Sequence, residues 1–231
     1  MAKNLRKSSV SKSPSPPPPA PPKLYRAHRE RQRGRILKAA QELFNARGIE
    51  GVTITEIVTA TGVRPTTLYE YFANKDEIIW ALVEEYTAQS TAEIGERVTH
   101  VQGTALTHIE AMLNAFEVEL AEHPERIRFQ AQFDAMYAHE WSTDLLLALH
   151  ARVAPDFPKS FADLVRMGIA DGSLRPDLNP DLAMHSVVNV VIAAQRRFAS
   201  LGNRVEVEYG QPVRHLFHEA IRIILLGLSN K

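Results

Sequence analysis

The chain has no cysteine, which excludes disulfides, thiolate metal sites and cysteine nucleophiles, and a reducing compartment fits that composition. It has no run of about 18 apolar residues. The greasiest stretch, Val187 to Ala194, is short and broken by Asn189, so no membrane partner is expected. The N-terminus is basic, but no apolar segment follows it to make a secretory leader. A glycine-rich phosphate loop, Gly-x-Ser-x-Gly and His-Glu-x-x-His are all missing, and with them the signatures of several enzyme classes. A cytoplasmic protein, neither an enzyme nor the holder of a cofactor, is the expectation.

What is present is length and an uneven distribution of charge. With 231 residues, 45% of them hydrophobic, the chain can fill one large core or two small ones. Its formal net charge is zero, yet residues 1–51 carry 12 Lys/Arg against Glu30, Glu42 and Glu50, a balance of +9. The remainder holds 15 basic and 24 acidic residues, a balance of −9. A basic end joined to an acidic body suggests that one end meets a polyanion, although a solvated basic tail has the same composition.

Residues 1–22 finish in Ser13-Pro14-Ser15-Pro16-Pro17-Pro18-Pro19-Ala20-Pro21-Pro22. Such a tract favours extended polyproline II and is short of the apolar side chains that would repay the entropy of ordering. It reads as a disordered tail. From Ala27 onward the patterns are helical, with no clean period-two alternation longer than Arg204 to Glu208. Ile36, Leu37, Ala40, Leu43 and Phe44 form one apolar stripe that Gly48 ends. Arg29, Arg31, Arg33 and Arg35 crowd the opening turns, where the helix macrodipole disfavours positive charge and where phosphate would suit them better.

Thr53-Ile54-Thr55-Glu56 has the spacing of a capping box. Ile57 and Val58 then face inward, and Gly62 can supply the positive φ of a tight turn between helices. Arg64 to Phe72 reads as a second short helix with Pro65 in its first turn, where the missing N–H costs little. Asn74-Lys75-Asp76-Glu77 caps a further helix with Ile78, Ile79, Leu82 and Val83 on its apolar stripe. Two short helices across a glycine turn, buttressed on both sides, make a helix-turn-helix.

These residues resemble the DNA-binding domain of the TetR (tetracycline-repressor-like) family of transcriptional regulators. The likeness spans residues 29–86 and is carried by Gly48-Ile49-Glu50-Gly51-Val52-Thr53, Gly62-Val63, Thr67-Leu68-Tyr69-x-Tyr71-Phe72 and Asn74-Lys75. Val58, Thr61 and the Arg64-Pro65 opening depart from the family's usual residues. A recognition helix presents its first turns to the major groove, so Arg64, Pro65, Thr66, Thr67 and Tyr71 are the candidate DNA contacts. The resemblance implies phosphate contacts for Tyr69 and Lys75, and places Thr53 and Thr55 near phosphate or a flanking base. The partner implied is a double-stranded DNA operator.

Residues 104–122, 124–139, 141–152, 159–171, 180–200 and 212–228 read as helices divided by prolines and glycine. The fold class is therefore all-α: a disordered tail over 1–22, a three-helix helix-turn-helix domain over 23–86, and a helical bundle over 87–231 for ligand binding and dimerisation. Gly168 to Leu178 also resembles the turn before the family's penultimate long helix. Helices 180–200 and 212–228 are apolar nearly all round, which requires burial on two sides and points to a homodimer. Met112, Phe116, Phe129, Phe133, Tyr137, Trp141 and Phe161 recur at helical spacing. Each is ordinary core by itself, but together they suit an apolar or aromatic small-molecule effector, with Tyr137 or Asn189 as polar anchor. The resemblance implies such a site, and a repressor that a ligand releases from a palindromic operator.

His215-x-x-His218 has i,i+3 spacing but no accompanying carboxylate motif, so no metal is expected there. The competing class is a helical ligand-binding or metal-dependent enzyme with a vestigial helix-turn-helix. The tail reading carries its own test: a chain lacking residues 1–22 is expected to melt within about 1 °C of the full-length protein, since the tract has little to bury. An insoluble or unfolded truncation, seen by circular dichroism, would contradict it.

Overall fold

The computed structural model describes residues 23–139 and 157–230, with Ser142, Asp144, Leu147, Ala148, Ala151 and Arg152 between them. The proline tract, Trp141 and most of the segment read as a helix over 141–152 lie outside the described residues. Among those described, the named elements are all helices: α1 (Lys23–Arg47), α2 (Ile54–Thr61), α3 (Pro65–Tyr69), α4 (Lys75–Thr99) and α5 (Ala105–Glu122). They continue with α6 (Pro124–Tyr137), α7 (Phe157–Ala170), α8 (Pro180–Leu201), α9 (Asn203–Tyr209) and α10 (Val213–Leu228). The all-α expectation holds for these residues.

Local chemistry explains the boundaries. Thr53 is the N-cap of α2, with both halves of the capping box formed: its hydroxyl accepts from the Glu56 amide at 3.3 Å while its own amide donates to Glu56 Oε2 at 2.8 Å. Gly62 ends the helix at φ +65°, a left-handed conformation that costs a residue with a side chain. Asn74 caps α4 through its Oδ1 and the Glu77 amide, at 2.9 Å. The alternating stretch Arg204 to Glu208 lies within α9, because Gly202 and Gly210, both at positive φ, bracket seven residues that close a single helical segment.

Two hydrophobic cores result. The first gathers Ile36, Phe44, Ile57, Leu68, Ile79 and Leu82 of α1–α4, Phe72 from the turn after α3, and three aromatics of α6. The second joins Ile94 at the far end of α4 to Ile109, Met112, Phe116, Phe161, Met184, Val191 and Phe217 of the bundle. α4 runs 25 residues without a break through position 86 and contributes to both.

The turn after α7 ties the bundle's ends together. Asp171 accepts the first amide of α5, from Ala105 at 3.0 Å, and the amide of Ser173 at 2.8 Å. Asn230 donates its amide to Ser173 O, and Arg175 donates to Leu228 O, at 3.1 and 3.0 Å. This close approach requires Gly168: a Cβ there would sit 2.4 Å from Leu174 Cγ and 3.1 Å from Ala105 Cβ. Gly168→Ala is therefore expected to lower unfolding free energy by about 1–3 kcal/mol in urea titration, as overpacking does. Gly95→Ala is the control: it meets nothing within 4 Å on α4 and is expected to stabilise by about 0.5–1 kcal/mol.

Candidate nucleic-acid interface

The first core exists to hold a very short helix. α3 is five residues long, too short to be stable alone. Its backbone bonds run one turn further, with Glu70, Tyr71 and Phe72 amides donating to Thr66 O, Leu68 O and Leu68 O. Leu68 and Phe72 are buried beneath it. That anchoring leaves Arg64, Pro65, Thr66 and Tyr69 exposed along the first turns, with Thr67 and Tyr71 half-buried. Thr53 and Thr55 are exposed at the start of α2. All nine residues named from the sequence thus belong to one helix-turn-helix unit.

Lys75 has a structural task that its sequence position did not reveal. Its ammonium donates to Ile49 O at 3.1 Å and Val52 O at 3.0 Å, closing the loop between α1 and α2. An ammonium has three N–H groups, so one donor can still reach a phosphate. Arg64 makes no capping bond at the start of α3. Arg64 is exposed, and a planar guanidinium fork suits a base edge or a phosphate.

Two arginines of α1 lie beside this surface. The Arg29 guanidinium carbon is 5.4 Å from the Tyr71 ring centroid, and that of Arg33 is 5.3 Å from the Phe72 ring. Arg35 donates to Thr61 O at 3.2 Å, across the turn between α2 and α3. The sequence signal was available: Arg29 and Arg33 fall in the helical register of Ile36 and Ala40.

The residues named as an effector pocket do not form one cluster. Met112, Phe116 and Phe161 are buried together in the second core. Phe129, Phe133 and Tyr137 belong instead to the first core, because α6 crosses between the two. Phe129 meets the Tyr86 ring edge-on at 5.2 Å, and Phe133 meets Trp80 edge-on at 4.7 Å. The Tyr137 hydroxyl donates to Asp76 at 2.6 Å, in the first turn of α4. Gln132, not singled out from the sequence, accepts the Ile49 amide at 3.0 Å. Asn189 is exposed, and its amide donates to His185 O of its own helix, so it is not an anchor inside the bundle.

A polar cluster does occupy that interior. Buried Arg126 makes two hydrogen bonds to Glu93 at 3.0 and 3.1 Å and lies 3.8 Å from buried Glu119. Glu119 also accepts from Ser90 and from Gln195, which donates to Phe116 O at 2.8 Å as well. On α10, His218 faces Glu117 at 3.1 Å; among the described residues no group of three or more His, Cys, Asp or Glu could hold a metal ion. No helix among them is long and apolar enough to cross a membrane.

Comparison with known proteins matches the same region. Residues 36–82 fit the family model described as bacterial regulatory proteins, tetR family. A transcriptional repressor of Mycolicibacterium smegmatis, KstR2, is 23% identical over 211 residues, covering 86% of this chain and 91% of its own. The solved structure of the ketosteroid transcriptional regulator KstR2 of Mycobacterium tuberculosis superposes with a TM-score of 0.61 at 20% identity, over 87% of this chain and 96% of that one. The fatty acid degradation regulator FadR of Bacillus halodurans gives 0.62 at 18% identity, over 87% and 97%.

The capping box yields a titration. The hydrogen bond from Arg47 at 2.7 Å, then those from Thr53, hold the Glu56 carboxyl down from an ordinary 4.5 to about 2. A lowered native value adds stability above the unfolded value that is lost as the pH falls from about 4.5 toward 2. Carboxyl-resolved NMR is expected to show Glu56 titrating near pH 2, and Arg47→Ala to move it upward. An unchanged midpoint in that variant would contradict the assignment of Arg47 as the main cause.

Proposed function

This chain belongs to the TetR family of bacterial transcriptional regulators, and from that premise we propose that it is a ligand-responsive repressor binding a palindromic DNA operator as a homodimer. The observation that carries the proposal is the capped helix-turn-helix whose buried Leu68 and Phe72 leave Arg64, Pro65, Thr66 and Tyr69 facing outward. Arg64 reads guanine through O6 and N7, while Thr66 and Thr67 offer hydroxyls and methyls to neighbouring bases. Tyr69, Thr53, Thr55 and the remaining donor of Lys75 hold phosphates and so set register. Tyr71, partly covered by Arg29, contributes from the edge.

Residues 23–86 then act as the DNA-binding part and 87–231 as the effector and dimer part. Support for the dimer comes from Leu182 and Val190 on α8, 66% and 54% exposed, and Ile223 and Leu226 on α10, 58% and 49% exposed. Apolar side chains repeating along two neighbouring helices are costly to leave in water. The effector is a small apolar or aromatic molecule recognised among Met112, Phe116 and Phe161, where the second core supplies large adaptable side chains. Two neighbours whose names refer to ketosteroids and to fatty acid degradation are in keeping with a lipophilic ligand. A regulator of this kind is not an enzyme, and it works in the cytoplasm, where its operator is.

Selection of bound duplexes from a random pool tests the reading and reports the operator. The expected product is an inverted repeat with half-sites about one helical turn, roughly 34 Å, apart or a multiple of it. Arg64→Ala is expected to cost about 1–3 kcal/mol and relax preference at one position per half-site. A pool that returns no enriched sequence, or a monomer mass by light scattering at micromolar concentration, would sink the proposal.

A further inference from the structure

We propose that residues 27–35 of α1 form a second DNA-contacting element, a sequence-independent clamp on the phosphates that flank each half-site. The inference rests on the operator reading above and adds a site outside the segment that matches the family model, which begins at Ile36. The nine residues from Ala27 up to that position span roughly 13.5 Å of helix at 1.5 Å per residue. They carry Arg29, Arg31, Arg33 and Arg35 against Glu30 alone, a balance of +3.

Register decides where this charge goes. Arg29 and Arg33 lie seven and three residues before Ile36, on the face that Ile36, Ala40 and Phe44 turn into the first core. One face of a single helix is therefore basic in its first half and apolar in its second. The apolar half is buried, and it carries the basic half past the edge of the core, alongside α3. There the Arg29 and Arg33 guanidinium groups rest against Tyr71 and Phe72 while remaining exposed.

Stacking on an aromatic ring fixes the plane of a guanidinium without using its N–H groups. Those donors stay available in a preorganised fork, the geometry that meets a phosphate bidentately. The arrangement has an electrostatic cost by itself. Arg29 and Arg33, like Arg31 and Arg35, are four residues apart on one helix, so these like charges repel one another. A polyanion beside the helix removes that conflict.

The test uses full-length protein and the selected operator duplex, with affinity measured between about 50 and 200 mM salt. In Arg29→Gln/Arg33→Gln the logarithmic salt slope is expected to fall by about 0.9 for each phosphate that is no longer neutralised, with affinity at about 150 mM weakened roughly tenfold or more. Base preference should stay as in wild type, and a hydroxyl-radical footprint should shorten at its outer edges. Arg29→Lys/Arg33→Lys keeps the charge and is expected to keep most of the slope, so melting temperatures of both variants separate charge from stacking. A Gln variant with wild-type slope and footprint overturns the clamp. So does a Lys variant that behaves as the Gln variant does, because the arginines then act only by positioning α3. A preference for A/T flanks in wild type that the Gln variant loses overturns it in favour of minor-groove reading. A wild-type protein that enriches no operator fails at the earlier step and takes this inference with it.

Discussion

α4 belongs to two hydrophobic cores at once. Ile78, Ile79 and Leu82 are buried among the small helices that present α3, and Ile94 is buried in the bundle. Between them Tyr86 meets Phe129 of α6, and further back Trp80 meets Phe133. Close-packed interiors yield little to compression. A helix fixed by both cores therefore cannot shift in one without a rearrangement in the other. The remaining links are polar and specific: Tyr137 to Asp76, Gln132 to the Ile49 amide, Lys75 to the carbonyls of Ile49 and Val52. Lys75 and Gln132 fasten the loop before α2 to α4 and α6, and Tyr137 fastens α6 to the first turn of α4.

The buried ionic cluster sits at the same crossing. Arg126 opens α6, Glu93 and Ser90 come from α4, Glu119 from α5 and Gln195 from α8. Burying charge is rarely a gain in stability over an apolar core of the same shape. What such a cluster does supply is a unique register, since a slip of any of the four helices would break at least one hydrogen bond or ion pair of Glu119 or Arg126. Specificity of arrangement, more than stability, is the physical reason for placing charge there.

Much of this was legible from residues alone where the signal was local. The capping box at Thr53, the turn at Gly62, the cap at Asn74 and the stripe from Ile36 to Phe44 each depend on side chains within a few positions of one another. The residues proposed to meet DNA, around α2, α3 and the start of α4, were named from the same signals and from the resemblance. What was hidden is tertiary. Phe129, Phe133 and Tyr137 have the spacing of any core-facing helix, and periodicity cannot say which core receives them. Asn189 in an apolar run reads as an interior anchor, yet it lies on the exposed side of α8, beside Val190. For Lys75 the resemblance implies a phosphate contact, and its hold on the loop carbonyls of Ile49 and Val52 is visible only in the fold. The α9 helix escaped because Val205 and Val207 mimic a strand over a stretch too short for either pattern to be decisive.

On the proposed function, the geometry limits how an effector can act. A ligand shifts an equilibrium only by its difference in affinity for the two states, so it must favour a packing of the second core that moves α4 or α6. α4, at 25 residues, is a rod of about 37 Å at 1.5 Å per residue, and tilting such a rod by about 5° moves its end by about 3 Å. That is close to the rise of one base pair, about 3.4 Å. Two recognition helices held in one dimer must match successive turns of the groove together, so a displacement of this size in each protomer is enough to spoil the pairing. Neither core needs to unfold, and the helix-turn-helix can move as a unit because Lys75 and Gln132 fasten it to α4 and α6, which Tyr137 ties to one another.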